Sequence, residues 1–310
     1  MSTTMIETTK GVNNNQFFNF EEAKVQALTL EQLERTHREN DVYEKPLRGI
    51  YHFALIHQLI DMCNEIGYNV EIYDLFAANN KDRTQPGVVR LPQIEQIKGE
   101  RAIEAHILRR VFANIRITDF DNEETTTNLA VAYHQKGIQV GFGPNVIICH
   151  NQCMLGAQYY GATYGDKGKG KNSANKYELP ELLDVVKSWL VDARHIIVTE
   201  REKIERMKNI EVTADKLLVI IGMLTAIRVK CDSTNKLIHE HRTYPLNQSQ
   251  INSLTERLLI KYEEQKHISL WNLYNAATDM YKVQQMDTPM IMPQNIALSE
   301  LLQEQFNFAF

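Results

Sequence analysis

Two guanidiniums and an aromatic ring share one side of a short stretch of this chain. In HILRRVFANIRI, residues 106–117, apolar and polar side chains alternate. Ile107, Val111, Ala113, Ile115 and Ile117 fall on one face of a two-residue period, and His106, Arg110, Phe112, Asn114 and Arg116 on the other. Single-stranded nucleic acid needs cations spaced for its phosphates and ring faces for its bases, each stacked base being worth about 1–3 kcal/mol. Arg110, Phe112 and Arg116 supply both, provided their face is open to water. The same pattern suits a strand covered on both sides, with Phe112 in a second core layer and the arginines at its rim.

A second group of cations follows. Lys167, Lys169, Lys171 and Lys176 stand against Asp166 in GATYGDKGKGKNSANKYELP, with glycines at 165, 168 and 170 that let a backbone approach phosphates closely. The spacing is not that of a P-loop, and a solvated surface loop has the same composition. Cys149, His150 and Cys153 could supply metal ligands, with His239 and His241 further on, but no second pair stands at zinc spacing and buried thiols are the plainer alternative. Asp119, Asp121, Glu123 and Glu124 could hold a divalent ion or simply form a hydrated hairpin tip. No nucleophile-elbow, zincin or dinucleotide-binding motif is present.

Positioning these residues requires a sheet. TNLAVAYH, GIQVGF and NVIICHNQCM alternate as residues 106–117 do, so 101–149 reads as four strands in a meander. Turns are expected at Asp121-Asn122-Glu123, Gln135-Lys136-Gly137 and Gly143-Pro144-Asn145. NVEIYDLF (69–76) adds a strand. Helical spacing predicts helices over 20–38 and 47–66, the latter stopped by Gly67. One long helix over 182–207 is opened by Pro180, and the next, over 213–229, packs Leu217, Leu218, Ile221, Leu224 and Ile227. Helices over 247–262 and 269–283 and a short one near 298–306 complete the set. The predicted layout is a disordered 1–19, a helix-plus-antiparallel-sheet core over 20–154, a flexible Gly/Lys loop over 155–179, and a helical region over 180–310 packing on the sheet. The fold class is α+β, with an antiparallel meander sheet of about four or five strands packed on helices.

With 43% hydrophobic and 24% charged residues among 310, the chain can bury a sizeable core. A net charge of −5 argues against a uniformly basic coat while leaving room for a local basic patch. No apolar run approaches the roughly 20 residues of a membrane span, so no membrane partner is expected. The polar opening MSTTMIETTKGVNNNQ lacks a secretion pattern, and the four scattered cysteines read as reduced thiols; both suggest a cytoplasmic protein.

The hairpin ending in GIQVGFGPNVIICHNQC, then QSQINSL and ISLWNLYNAAT, resembles a family of uncharacterised proteins carried by phages, plasmids and conjugative elements. The likeness covers roughly residues 100–285 and is strongest over Val146–Cys153 and Leu270–Thr278. Such proteins are distantly similar to single-strand annealing recombinases, which set an antiparallel sheet backed by helices beside a basic groove. The resemblance implies a phage or mobile-element protein of the host cytosol and carries over no catalytic residue. The expected function is sequence-tolerant binding or annealing of single-stranded nucleic acid during replication or recombination. Arg110, Arg116, Lys167, Lys169 and Lys171 would hold phosphates and Phe112 would stack a base, without a cofactor; a homo-oligomer is compatible with this role. Two alternatives stand beside it. One is a protein-interaction module such as an anti-defence factor; the other is a metal-dependent enzyme acting on nucleotides or nucleic acid through the Asp119–Glu124 carboxylates.

Overall fold

The computed structural model describes residues 25–27, 29–39, 49–78, 110–134, 137–146, 159–163, 176–227, 229–231, 237–239, 244–265, 267–280 and 288–307. The described residues divide into two compact units, one within 1–143 and 159–194, the other within 144–158 and 195–310. The class is α+β.

The first unit is built on a seven-stranded sheet whose spatial order follows the chain. Its strands are β1 (Val25–Ala27), β2 (Val70–Ala78), β3 (Arg110–Ile117), β4 (Thr125–His134), β5 (Gly137–Val146), β6 (Tyr160–Thr163) and β7 (Lys176–Tyr177). β1–β2, β2–β3, β3–β4 and β5–β6 pair antiparallel, and β6–β7 pairs parallel. Helices α1 (Leu30–Glu39), α2 (His52–Ile66) and α3 (Leu179–Val191) accompany it.

α2 exists because Leu55, Ile56, Leu59, Ile60 and Cys63 recur at helical spacing and are all buried. It ends at Gly67, whose φ of 97° is open to glycine at no steric cost; the Tyr68 N–H then reaches back to the Cys63 carbonyl at 3.0 Å. α2 packs on β2 and β3. The Tyr133 hydroxyl donates to the Ile50 carbonyl at 2.8 Å and its ring meets His52 edge-on, which fixes the face carrying Val111, Ala113, Ile115, Leu129 and Val131 as the one beneath α2. α3 opens on a capping box, Glu178 with Glu181, and a proline in its first turn. It lies so close to β6 that a Cβ on Gly161 would stand 2.5 Å from Leu182 Cδ1.

The second unit is helical. After α4 (Ala193–Asn209) come α5 (Ala214–Ala226), α6 (Gln248–Gln265), α7 (Leu270–Asp279) and α8 (Thr288–Phe306). Two short ladders join them: β8 (Glu211–Val212) with β11 (Ile268–Ser269), and β9 (Val229–Cys231) with β10 (Leu237–His239). Its core includes Met207, Leu217, Leu224, Leu254, Leu273 and Leu302. Thr213 caps α5, Ser269 and Asn272 cap α7 reciprocally, and Asn247 with Gln250 does the same for α6. Inside, the Tyr274 hydroxyl donates to Asn295 Oδ1 at 2.6 Å and so ties α7 to α8.

Several expectations are corrected here. The helix predicted over 182–207 is two, broken at Asp192, where φ −92° and ψ 7° leave the helical region. Gly143-Pro144-Asn145 is no turn, because β5 runs on to Val146. The last helix begins at Thr288, ten residues before 298, and accommodates Pro293. α7 buries its apolar stripe in the helical core of the second unit. Residues 1–19 and 164–175 lie outside the described residues.

Gly161→Ala should lower the stability of the first unit by about 1–3 kcal/mol, since the new methyl must displace a fully buried Leu182. The cost should shrink when Leu182→Ala is made first. Urea midpoints of the four proteins check this.

Candidate functional site

β3 places the sequence-predicted face as its alternation requires. Phe112, Asn114 and Arg116 share one side, opposite Phe76, Asp74 and Glu71 of β2 and opposite Ala132, Ala130 and Asn128 of β4. That side is not open. Phe112 is only 6% exposed, and Asn114, Asn128, Ala130 and Ala132 are all buried. Both sides of β3 are therefore covered, as in a strand near the centre of a two-sided sheet. Phe112 belongs to a second apolar layer, so no base can stack on it as it stands.

Arg116 is half-buried and already engaged. Its Nε donates to Asp121 Oδ2 at 2.6 Å and its Nη1 to Glu71 Oε1 at 2.8 Å. Burial alone would lower its pKa; Asp121 and Glu71 outweigh that and hold it above the ordinary value. Two carboxylates on one guanidinium leave a local charge of about −1, the wrong sign for a phosphate. Arg110 opens β3 opposite Ala78. Lys167, Lys169 and Lys171 lie outside the described residues, as do Cys149 and Cys153.

The acidic turn has structural work. Asp119 accepts the Asn69 backbone N–H at 2.6 Å and its side-chain amide at 3.1 Å. Asp121, besides holding Arg116, accepts the Thr127 N–H at 3.0 Å. Asn122 Oδ1 accepts from the N–H groups of Glu124 and Thr125, closing the tip. Among the described residues no three His, Cys, Asp or Glu side chains are grouped as a metal ion would need. Cys63 is a free, buried thiol whose pKa burial pushes up to about 12, which makes it a poor nucleophile.

Sequence reasoning missed a polar layer inside the sheet. Asn114 Nδ2 donates to Asp74 Oδ2 at 3.1 Å. Burial pushes the Asp74 carboxyl up to about 6, and the bond from Asn114 restrains the rise. Asn114 Oδ1 and both amide atoms of Asn128 are buried with no hydrogen-bond partner among the described residues. Alternation alone puts Asn128 on the side of Arg116, but Asp74 reaches that side only through a bulge in β2 between Ile72 and Asp74, since Glu71 already takes it. Register, which no single strand discloses, decides that Asp74 meets Asn114 and that Asn128 lies opposite Arg116.

The second unit differs in kind. Leu218 and Val219 on α5 are 60% and 52% exposed, and Leu259 and Ile260 on α6 also face water. Leu218 was expected to pack with Leu217 and Ile221; instead Ile220 takes the buried place. The run LLVII makes α5 apolar nearly all round, more than one core stripe can absorb. No helix among the described residues is long and apolar enough to cross a membrane.

Comparison with protein-family models, with curated proteins and with solved structures found no match in any of the three.

Asp74→Asn gives a signed test of the polar layer. A carboxyl raised to about 6 in the fold from 3.8 favours its neutral form there, so ionisation costs stability above about pH 6 and nothing below about pH 4. The variant should melt higher than the parent at pH 7.5, with the gap closing as pH falls through that window. Thermal melts across pH 4–7.5 measure it.

Proposed function

We propose that this chain is a protein-interaction module that works through its second unit, acting in the cytosol of its host. The observation that carries this is the pair of large apolar side chains, Leu218 and Val219, held in water on α5. Apolar groups that a fold could bury but leaves exposed side by side mark surfaces that another molecule covers. Protein docking needs no cofactor and no metal. The likeness of Leu270–Thr278 to proteins of phages and mobile elements supports an interfering or adaptor role, such as gripping a host enzyme.

Binding of single-stranded nucleic acid is the second reading, favoured by the lysines at 167, 169 and 171. With Phe112 covered and Arg116 neutralised, it would rest on those lysines and Arg110, without base stacking. Affinity would then be almost wholly electrostatic and fall steeply with salt.

One pair of measurements separates the two. Panning a displayed library of random helical peptides on the purified protein should enrich binders that lose at least tenfold in affinity, about 1.4 kcal/mol, on Leu218→Asp with Val219→Asp. Circular dichroism should be unchanged in that variant. A fluorescent oligonucleotide titrated from 50 to 200 mM salt should show no binding. Tight, salt-steep oligonucleotide binding abolished by Lys167→Glu, Lys169→Glu and Lys171→Glu would instead establish the second reading.

A further inference from the structure

Resting on that docking role, we infer that the second unit seats a basic amphipathic helix of a partner protein in the groove between α5 and α8. The groove holds about 310 Å³. Met223, Ala226 and Ile227 form its α5 wall, and Ala297 and Leu301 its α8 wall. Val219 precedes Met223 by one helical turn, so the exposed apolar side of α5 continues into the groove. From Val219 to Ile227 that surface runs for roughly 12 Å at 1.5 Å per residue, enough for about two turns of a partner helix. Alanines at 226 and 297 keep both walls low and allow a helix to settle between them.

Charge selects the partner. Glu300 and Glu304 line the α8 side one turn apart, and neither forms an ion pair among the described residues. α8 contains no Lys or Arg at all. Lys216, the one Lys or Arg within α5, lies over the Phe306 ring at 4.6 Å. A helix docked with its apolar side on Met223 and Leu301 would bring residues three or four apart beside the two carboxylates, and Lys or Arg there completes the contact. An acidic helix would be repelled by the same pair. Partner specificity would then come from two charges at the rim of an otherwise permissive apolar trough.

The test uses the full chain and two 18-residue helical peptides with leucines at i, i+3, i+4 and i+7. One carries lysines flanking that stripe and the other glutamates. Fluorescence anisotropy should give at least tenfold tighter binding of the lysine peptide, and E300K with E304K should reverse the order. E263K with E264K changes net charge equally on exposed positions of α6 and should leave the order alone. Equal affinities, or a preference lost just as readily in the α6 control, would overturn the basic partner. If those results coincide with library binders still sensitive to Leu218 and Val219, docking stands and only its charge rule falls. A dimer in sedimentation that Met223→Glu dissolves would assign the groove to a second copy and equally overturn the proposal.

Discussion

Being covered on both sides is the constraint from which the first unit follows. A strand paired on both edges, with α2 over one face, must make its other face dry as well or leave it to solvent. The chain makes it dry. Small side chains at 132 and 130 lie opposite Phe112 and Asn114, an amide bonds a carboxyl, and the Arg116 guanidinium is clamped by two acids. Arg116 is therefore better understood as a fastener than as a ligand. Glu71 comes from β2 and Asp121 from the β3–β4 connection, so one side chain joins three pieces of backbone that alternation alone does not bring together.

The second unit reaches the opposite solution. Its core closes with hydrophobic side chains left over. α5 has more apolar residues than its contacts use, and the excess points outward. Exposed leucine and valine invite aggregation unless something transient or permanent covers them. On the proposed reading, the glutamates of α8 would restrict which surfaces can approach the neighbouring groove.

Much of the fold could be read from the residues. Period-two runs found β2 to β5, period-3.6 runs found α2 and α5 to α7, and Gly67 ended α2 as its φ requires. What escaped was whatever depends on two segments at once. The faces of β3 were assigned correctly from alternation, but no feature of HILRRVFANIRI states whether a face is covered. The clamp on Arg116 needed Glu71, 45 residues earlier. The break at Asp192 interrupts an apolar stripe that continues on either side, so spacing gave no warning. Leu218 was assigned inward because a helix with five consecutive apolar residues offers several equivalent stripes, and only packing chooses among them.

The hydrogen bond from Tyr274 to Asn295 has a consequence for α8. Apolar contacts between helices are tolerant of sliding, because one methyl group serves nearly as well as its neighbour. A buried hydroxyl bonded to a side-chain amide is not, and it fixes axial registry as a dowel does in joinery. Glu300 follows Asn295 by five residues on the same helix, so its height along the trough is determined from the interior, by a bond that no visiting molecule touches.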